Sequence, residues 1–299
     1  VSAKSGVKIG ARKAYDEAVK QGKSKMFVVT KIDDKDANFF NVLTELKTVF
    51  GPTVCPVVVP VIGNGQIVEY VNLIEMKAYK YDGKGNPVET EMPNAEVSEK
   101  MEYRIDGLVA AVSEAVAETS DELMEKFFEG IPFTQKELID GIHAGMNKGI
   151  ITPVVCTSSV DLLLKEIELL LPAPNEVYSA EAYTPAKDVI EVKCDADAPL
   201  SAYVFKTVAD PFVGKMSMIR VMSGKLSANS DVVNSATGNT EKIGKLYKLC
   251  GKKQTEVSCA FAGEIVVASK ISANTGDTLS DVSRIVEFAP MEFPVTCYS

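Results

Sequence analysis

Phe27-Val28-Val29-Thr30-Lys31-Ile32-Asp33 decides how this chain is read. An apolar run stops, and Thr-Lys-x-Asp follows at once. That pattern reads as a buried parallel strand delivering a Lys and an Asp to the carboxyl edge of an open sheet, where ligands bind in α/β folds. The flanks agree. Residues 8–21 are predicted helical, with Ala14, Tyr15, Ala18 and Val19 on one face and Gly22 just past the end. A strand is expected over 25–30. Phe39, Val42, Leu43, Leu46, Val49 and Phe50 then fall at helical spacing within 37–50, before Gly51. Val54 to Ile62 is a second apolar run. Helix between apolar strands marks a parallel sheet with crossover connections.

An insertion, about 61–150, interrupts this alternation. Gln66 to Tyr81 reads as strand, Asp82-Gly83-Lys84-Gly85-Asn86 as a hairpin turn, and a short strand returns. A helix is expected over roughly 96–118. Thr119-x-x-Glu122 and Thr134-x-x-Glu137 both read as capping boxes opening further helices. The sheet resumes at Ile151 and runs to Cys156-Thr157-Ser158-Ser159, and a helix from Leu162 to Leu171 ends at Pro172. A linker is expected from Pro172 to about Pro185. Beyond it, Val189 to Phe288 shows short strands with Gly, Asn and Asp turns every 8–12 residues, as in an all-β barrel or sandwich. The expected fold is therefore a partial α/β parallel sheet with an inserted α+β subdomain, followed by an all-β barrel. The expected bounds are 1–175 and 176–288, with 289–299 starting a further domain.

The 299 residues are enough for two domains with sizeable cores. No apolar run approaches the ~20 residues that span a bilayer, and no signal-peptide pattern opens the chain. It begins on Val1 rather than Met and reads as a piece of a longer protein. The six cysteines are scattered without C-x-x-C, and with the single His143 they assemble no zinc pattern. They read as reduced thiols used as small apolar residues. The net charge of −9 argues against wholesale nucleic-acid coating. Its distribution is uneven, however. Residues 61–140 carry 7 Lys/Arg against 17 Asp/Glu, and residues 201–253 carry 9 against 3, which suggests two kinds of contact.

Asn-Lys-x-Asp at the end of such a strand is a guanine-reading motif, and here Thr30 stands in place of the Asn. A carboxylate at Asp33 can accept two N–H bonds from a guanine edge, a donor pair adenine lacks, and a wrong base leaves it unpaired at a cost. The aliphatic stem of Lys31 can lie over a flat base. Thr is shorter than Asn and brings one hydroxyl, so a bond worth about 1–3 kcal/mol is lost. Cys156-Thr157-Ser158-Ser159 ends the next sheet strand, so its N–H groups are expected to face the same crevice. The phosphate-binding G-x-x-x-x-G-K-[ST] loop is absent from these 299 residues.

The second half carries a specific series of strings: Lys206-Thr207-Val208-Ala209-Asp210-Pro211-Phe212-Val213-Gly214-Lys215, Arg220-Val221-Met222-Ser223-Gly224-Lys225-Leu226 and Asn274-Thr275-Gly276-Asp277-Thr278-Leu279. With these, the chain resembles the translational GTPases, and specifically the elongation factor G family, along essentially its whole length. Residues 206–226 and 274–281 are similar to that family's domain II. Residues 28–40 and 153–159 resemble landmarks of its GTPase domain, and 95–130 resemble its extra subdomain.

The resemblance implies base-side roles for Thr30, Lys31, Asp33, Ser158 and Ser159. Thr157 and Ser159 replace small neighbours of Ser158, and the Lys-Asn that usually follows is missing. It implies GTP or GDP with Mg in the parent protein and none bound to this piece, which lacks the phosphate and metal ligands. No catalytic or metal-ligating residue is assigned, and the piece alone is expected to be inactive. It further implies a cytoplasmic protein of ribosomal translocation that contacts rRNA through domain II and a ribosomal protein through the acidic insertion, away from membranes. The alternative is a non-enzymatic ribosome- or RNA-binding paralogue with a decayed nucleotide site.

Overall fold

The computed structural model describes residues 1–63, 66–82, 86–93, 104–210 and 214–291. These fall into two compact units, Val1–Pro172 and Ala173–Ser299. The first unit opens with α1 (Ile9–Lys20), β1 (Phe27–Val29), α2 (Phe39–Phe50) and β2 (Val54–Gly63). Next come β3 (Gln66–Asn72), β4 (Lys77–Tyr81) and β5 (Pro87–Thr90). Then α3 (Ile105–Ala117), α4 (Asp121–Phe128) and α5 (Gln135–Lys148) lead to β6 (Thr152–Cys156) and α6 (Val160–Leu170).

One six-stranded sheet runs through this unit in the order β1-β6-β2-β3-β4-β5. β6 pairs parallel with both β1 and β2, so the crossover through α2 skips one slot, which β6 later fills. From β2 onward all pairs are antiparallel. The inserted strands therefore extend the parent sheet. Burial follows from this layout. Val29, Val57, Val59 and Val154 are wholly buried, as are Leu43 and Leu46 of α2. Each such side chain contributes about 1.5–3 kcal/mol. Asn38 starts α2 by accepting the Asn41 N–H at 2.9 Å, and Gly51 at φ 86° stops it. Tyr15 of α1 packs on Phe27 and Phe50 with centroids at 5.6 and 4.4 Å, whereas Val19, expected on the same face, is exposed.

Three local expectations are corrected. Gln66–Tyr81 is two strands, because Asn72 Oδ1 accepts the N–H groups of Ile74 and Glu75 at 2.9 Å each and folds a turn out of an apolar stretch. Thr119 does not cap a helix: its hydroxyl turns back to donate to Val116 O at 2.6 Å, and Ser120 caps α4 through the Leu123 N–H. The stretch from Pro172 to Pro185 is not a bare linker, since it holds α7 (Pro174–Val177) and β7 (Ser179–Tyr183). The Thr134–Glu137 capping box is present as expected. The helix expected over 96–118 is described only as α3, and the tip of the 82–86 turn and residues 292–299 lie outside the described residues.

The second unit is built from antiparallel strands. β7 lies between β19 (Glu287–Phe288) and β8 (Val189–Lys193). A large sheet contains β9 (Ser201–Asp210), β10 (Gly214–Ser223), β12 (Asp231–Asn234), β13 (Thr240–Lys242), β14 (Leu246–Cys250), β15 (Lys253–Val257), β17 (Ile265–Ser269) and β18 (Thr278–Ser280). Their order is β13-β12-β18-β9-β10-β17-β14-β15, a barrel-like arrangement, with β11 (Lys225–Ser227) and β16 (Cys259–Phe261) paired beside it. Two register breaks bend the β9–β10 ladder. Ala202, Val204, Ile219, Val221, Leu226, Ile243, Leu246 and Leu279 fill the core.

Candidate functional site

The parallel pairing Val29↔Cys156 puts the ends of β1 and β6 side by side. The Thr157 N–H donates to Val29 O at 3.3 Å. Thr30-Lys31-Ile32-Asp33 and Thr157-Ser158-Ser159 therefore leave the same edge of the sheet from adjacent strands, as the sequence implied. Thr30 is braced by the start of the chain: its N–H donates to Val1 O at 2.9 Å, and Ala3 N–H donates to Thr30 O at 2.8 Å. Among the described residues its hydroxyl reaches only Val1 O, at 3.5 Å. Lys31 sits at φ 55°, a left-handed conformation that costs a non-glycine residue about 1–3 kcal/mol. Ile32 turns into the core, and Lys31 and Asp33 are exposed. Among the described residues the Lys31 and Asp33 side chains make no hydrogen bond or ion pair.

The loop after them is held by Asp34. Its Oδ1 accepts the Asp36 N–H at 3.1 Å, and Lys4 pairs with Asp34 and Asp36 at 3.3 and 3.1 Å. The Asp36 N–H, with help from Lys4, holds the Asp34 carboxyl below its usual range. Beside Asp33 and Phe39 opens a cleft of about 530 Å³, closed on its far side by Pro60, Ile67, Tyr70 and Tyr81.

The second loop is less free than the first. Thr157 is buried, and its Oγ1 donates to Ser159 O at 2.7 Å and accepts the Ser159 N–H at 2.9 Å. Tyr81 Oη lies 3.0 Å from the same oxygen, and Tyr70 Oη shares a hydrogen bond with Ser158 Oγ at 3.1 Å. The sequence offered no motif for these tyrosines. They lie 70 or more residues from the loop they touch and read as ordinary strand aromatics. His143 serves structure, with Nε2 3.0 Å from Leu169 O. Among the described residues no cluster of three or more His, Cys, Asp or Glu could hold a metal. Five described cysteines are unpaired; Cys55, Cys156 and Cys194 are buried.

The strings of the second unit have structural explanations. In Asn274-Thr275-Gly276-Asp277, Asp277 Oδ2 accepts the Asn274 N–H at 2.8 Å and Asn234 Nδ2 at 2.9 Å, tying the turn to β12. Ser223-Gly224-Lys225 is a turn at φ 72° in which a Cβ on Gly224 would meet Ala198 O at 2.5 Å. Ser201 and Ser223 share a hydrogen bond at 2.7 Å, and Arg284 Nη2 donates to Ser223 Oγ at 3.1 Å.

A mixed α/β sheet with polar loops at one edge is followed along the chain by a barrel-like unit with these turns. The family model for elongation factor G domain 2 matches residues 199–282. An elongation factor G-like protein of Thermotoga maritima is 33% identical over 305 residues, covering 100% of this chain and 43% of its own length. A crystal structure of a Thermus thermophilus protein matches with a TM-score of 0.79 at 29% identity, over 99% of this chain and 42% of that one. The chain belongs to the elongation factor G family, and it spans less than half the length of these relatives. No helix among the described residues is long and apolar enough to cross a membrane.

Proposed function

We propose that the edge formed by Thr30, Lys31, Asp33, Ser158 and Ser159 is the base-reading part of a guanine-nucleotide site. Its wider setting is a cytoplasmic protein that acts on the ribosome in translocation, with GTP binding and hydrolysis. The observation that carries the reading is an exposed Asp33 carboxylate without a protein partner among the described residues, in the loop that follows a strand hydrogen-bonded to the one that delivers the 157–159 loop. Asp33 would accept two N–H bonds from the guanine edge, the Lys31 stem would cover one face of the base, and the Ser158 N–H would meet its carbonyl, the Ser159 N–H being held by Thr157 Oγ1. The residues at this edge fit a base. With no G-x-x-x-x-G-K-[ST] loop in these 299 residues, no phosphoryl-transfer step is assigned to them.

The basic stretch 201–253 supports rRNA contact by the second unit. Among the described residues its exposed Lys206, Lys242, Lys252 and Lys253 form no ion pair, and such binding would weaken steeply with salt. The acidic insertion suits a ribosomal protein. A second reading, a ribosome- or RNA-binding paralogue with a weakened nucleotide site, is favoured by the hydroxyls of Thr30 and Thr157. One makes a single long contact and the other is fully engaged within the protein.

Titrating the isotope-labelled chain with guanosine and with adenosine tests the reading. Guanosine is expected to shift the amide resonances of Lys31, Asp33, Ser158 and Ser159, and Asp33→Ala is expected to abolish those shifts. Equal responses to the two nucleosides, or none, would overturn the guanine reading in favour of the second.

A further inference from the structure

The base-reading loop is held within itself through Thr157 and Ser159. It is also held by two tyrosines of the insertion. Tyr70 lies opposite Tyr79 across the β3–β4 ladder, and Tyr81 lies two residues beyond Tyr79, so Tyr70 and Tyr81 share one face of the sheet. Their rings meet edge to face at 5.0 Å and 72°. Tyr70 is 4% exposed, so its ring has little freedom to move.

The hydrogen bonds have a definite direction. Thr157 has one hydroxyl hydrogen, and it goes to Ser159 O. One lone pair takes the Ser159 N–H. Toward Tyr81, Thr157 Oγ1 can then only accept, so Tyr81 Oη donates and the Thr157 oxygen is saturated. The partner of Tyr70 is Ser158 itself, the residue placed against the base. Burial pushes the Tyr70 phenol up to about 12, so its proton stays in place at neutral pH.

We propose that Tyr70 and Tyr81 are positioning residues for the 157–159 loop, through which the inserted strands β3 and β4 fix how that loop meets a base. This rests on the guanine reading above. They act through Thr157 and Ser158. A partner that shifts β3 or β4 would thereby alter nucleoside affinity at an edge it does not contact.

The test uses Tyr70→Phe and Tyr81→Phe, which keep the rings and remove only the hydroxyls; Thr157→Val removes the Tyr81 bond from the other side together with both bonds to Ser159. Amide hydrogen exchange at Ser158 and Ser159 reads the hold without any ligand, and guanosine titration reads its consequence. Exchange is expected to speed up about tenfold in Tyr81→Phe and by at least as much in Thr157→Val, and guanosine affinity to fall about 3- to 10-fold in the two tyrosine variants, the size of one lost hydrogen bond, and by at least as much in Thr157→Val. Weak adenosine binding should not change. Unchanged exchange and unchanged guanosine affinity, in a background where Asp33→Ala still abolishes binding, would overturn the positioning role and leave the guanine reading standing. Faster exchange in a chain that binds no guanosine even as wild type would support the hold and overturn the guanine reading alone.

Discussion

The strand ends of the mixed sheet and the turns of the barrel-like unit are both rich in polar residues, but they use them in opposite ways. In the barrel-like unit, Asp277 closes its own turn and anchors Asn234, Glu241 accepts the N–H groups of Ser272 and Ala273, and Ser223 joins Ser201, Pro199 and Arg284. At the sheet edge, Lys31 holds an unfavourable backbone angle and Asp33 faces solvent without a partner among the described residues. Polar groups that satisfy one another explain themselves through stability. Those left open to solvent, beside a strained backbone position, are not explained by stability in the same way.

The contrast can be broken by mutation. The largest effect is expected from Gly224→Ala in the barrel-like unit. There a methyl group would strike the backbone at Ala198 and Leu200 and the residue would keep a positive φ. A loss of about 3 kcal/mol or more in urea unfolding is expected. A loss below about 1 kcal/mol would show that the turn yields, and that its sequence needs another explanation.

Next comes Glu166 of α6, a buried carboxyl of the first unit that is an exception to the contrast. It accepts from Asn72 Nδ2 at 2.9 Å, and its other oxygen has no hydrogen-bond partner among the described residues. Burial raises its pKa to about 7. Between the ordinary carboxylate range and that value, the folded protein holds a proton that the unfolded chain has released. Stability contributed by this group is therefore full at low pH and is lost as pH rises toward 7, by about 3 kcal/mol. Glu166→Gln should flatten this slope and leave the protein more stable than wild type at pH 8, as read from unfolding midpoints across pH. An unaltered slope would assign it to other groups.

The smallest effects are expected at the open edge. Asp33→Ala should change stability by less than about 0.5 kcal/mol, and Lys31→Gly should stabilise by about 0.5–1 kcal/mol by relieving the backbone. A marked loss from Asp33→Ala would place it among the structural carboxylates and end the contrast.

Much of this was legible in the residue order. The helical spacing from Phe39 to Phe50, the alternation of strand and helix, and the Thr134–Glu137 cap are local patterns, and each appears in the fold. What failed was local chemistry with two outcomes. Thr119 and Ser120 can both cap a helix, and the packing around α3 sent Thr119 back to Val116. Asn72 folds a turn inside a stretch whose hydropathy reads as strand, because one side-chain oxygen outweighs the pattern there.

By itself the sequence determined the class of fold and the family, and it singled out Thr30, Lys31 and Asp33 for the proposed site, because these depend on short-range periodicity and on contiguous strings. Only the tertiary structure decided that the insertion extends the parent sheet, and that Tyr70 and Tyr81 hold the 157–159 loop. Strand pairing and hydroxyl contacts across 76 and 88 residues of chain are set by the register of the whole sheet, which no local pattern encodes.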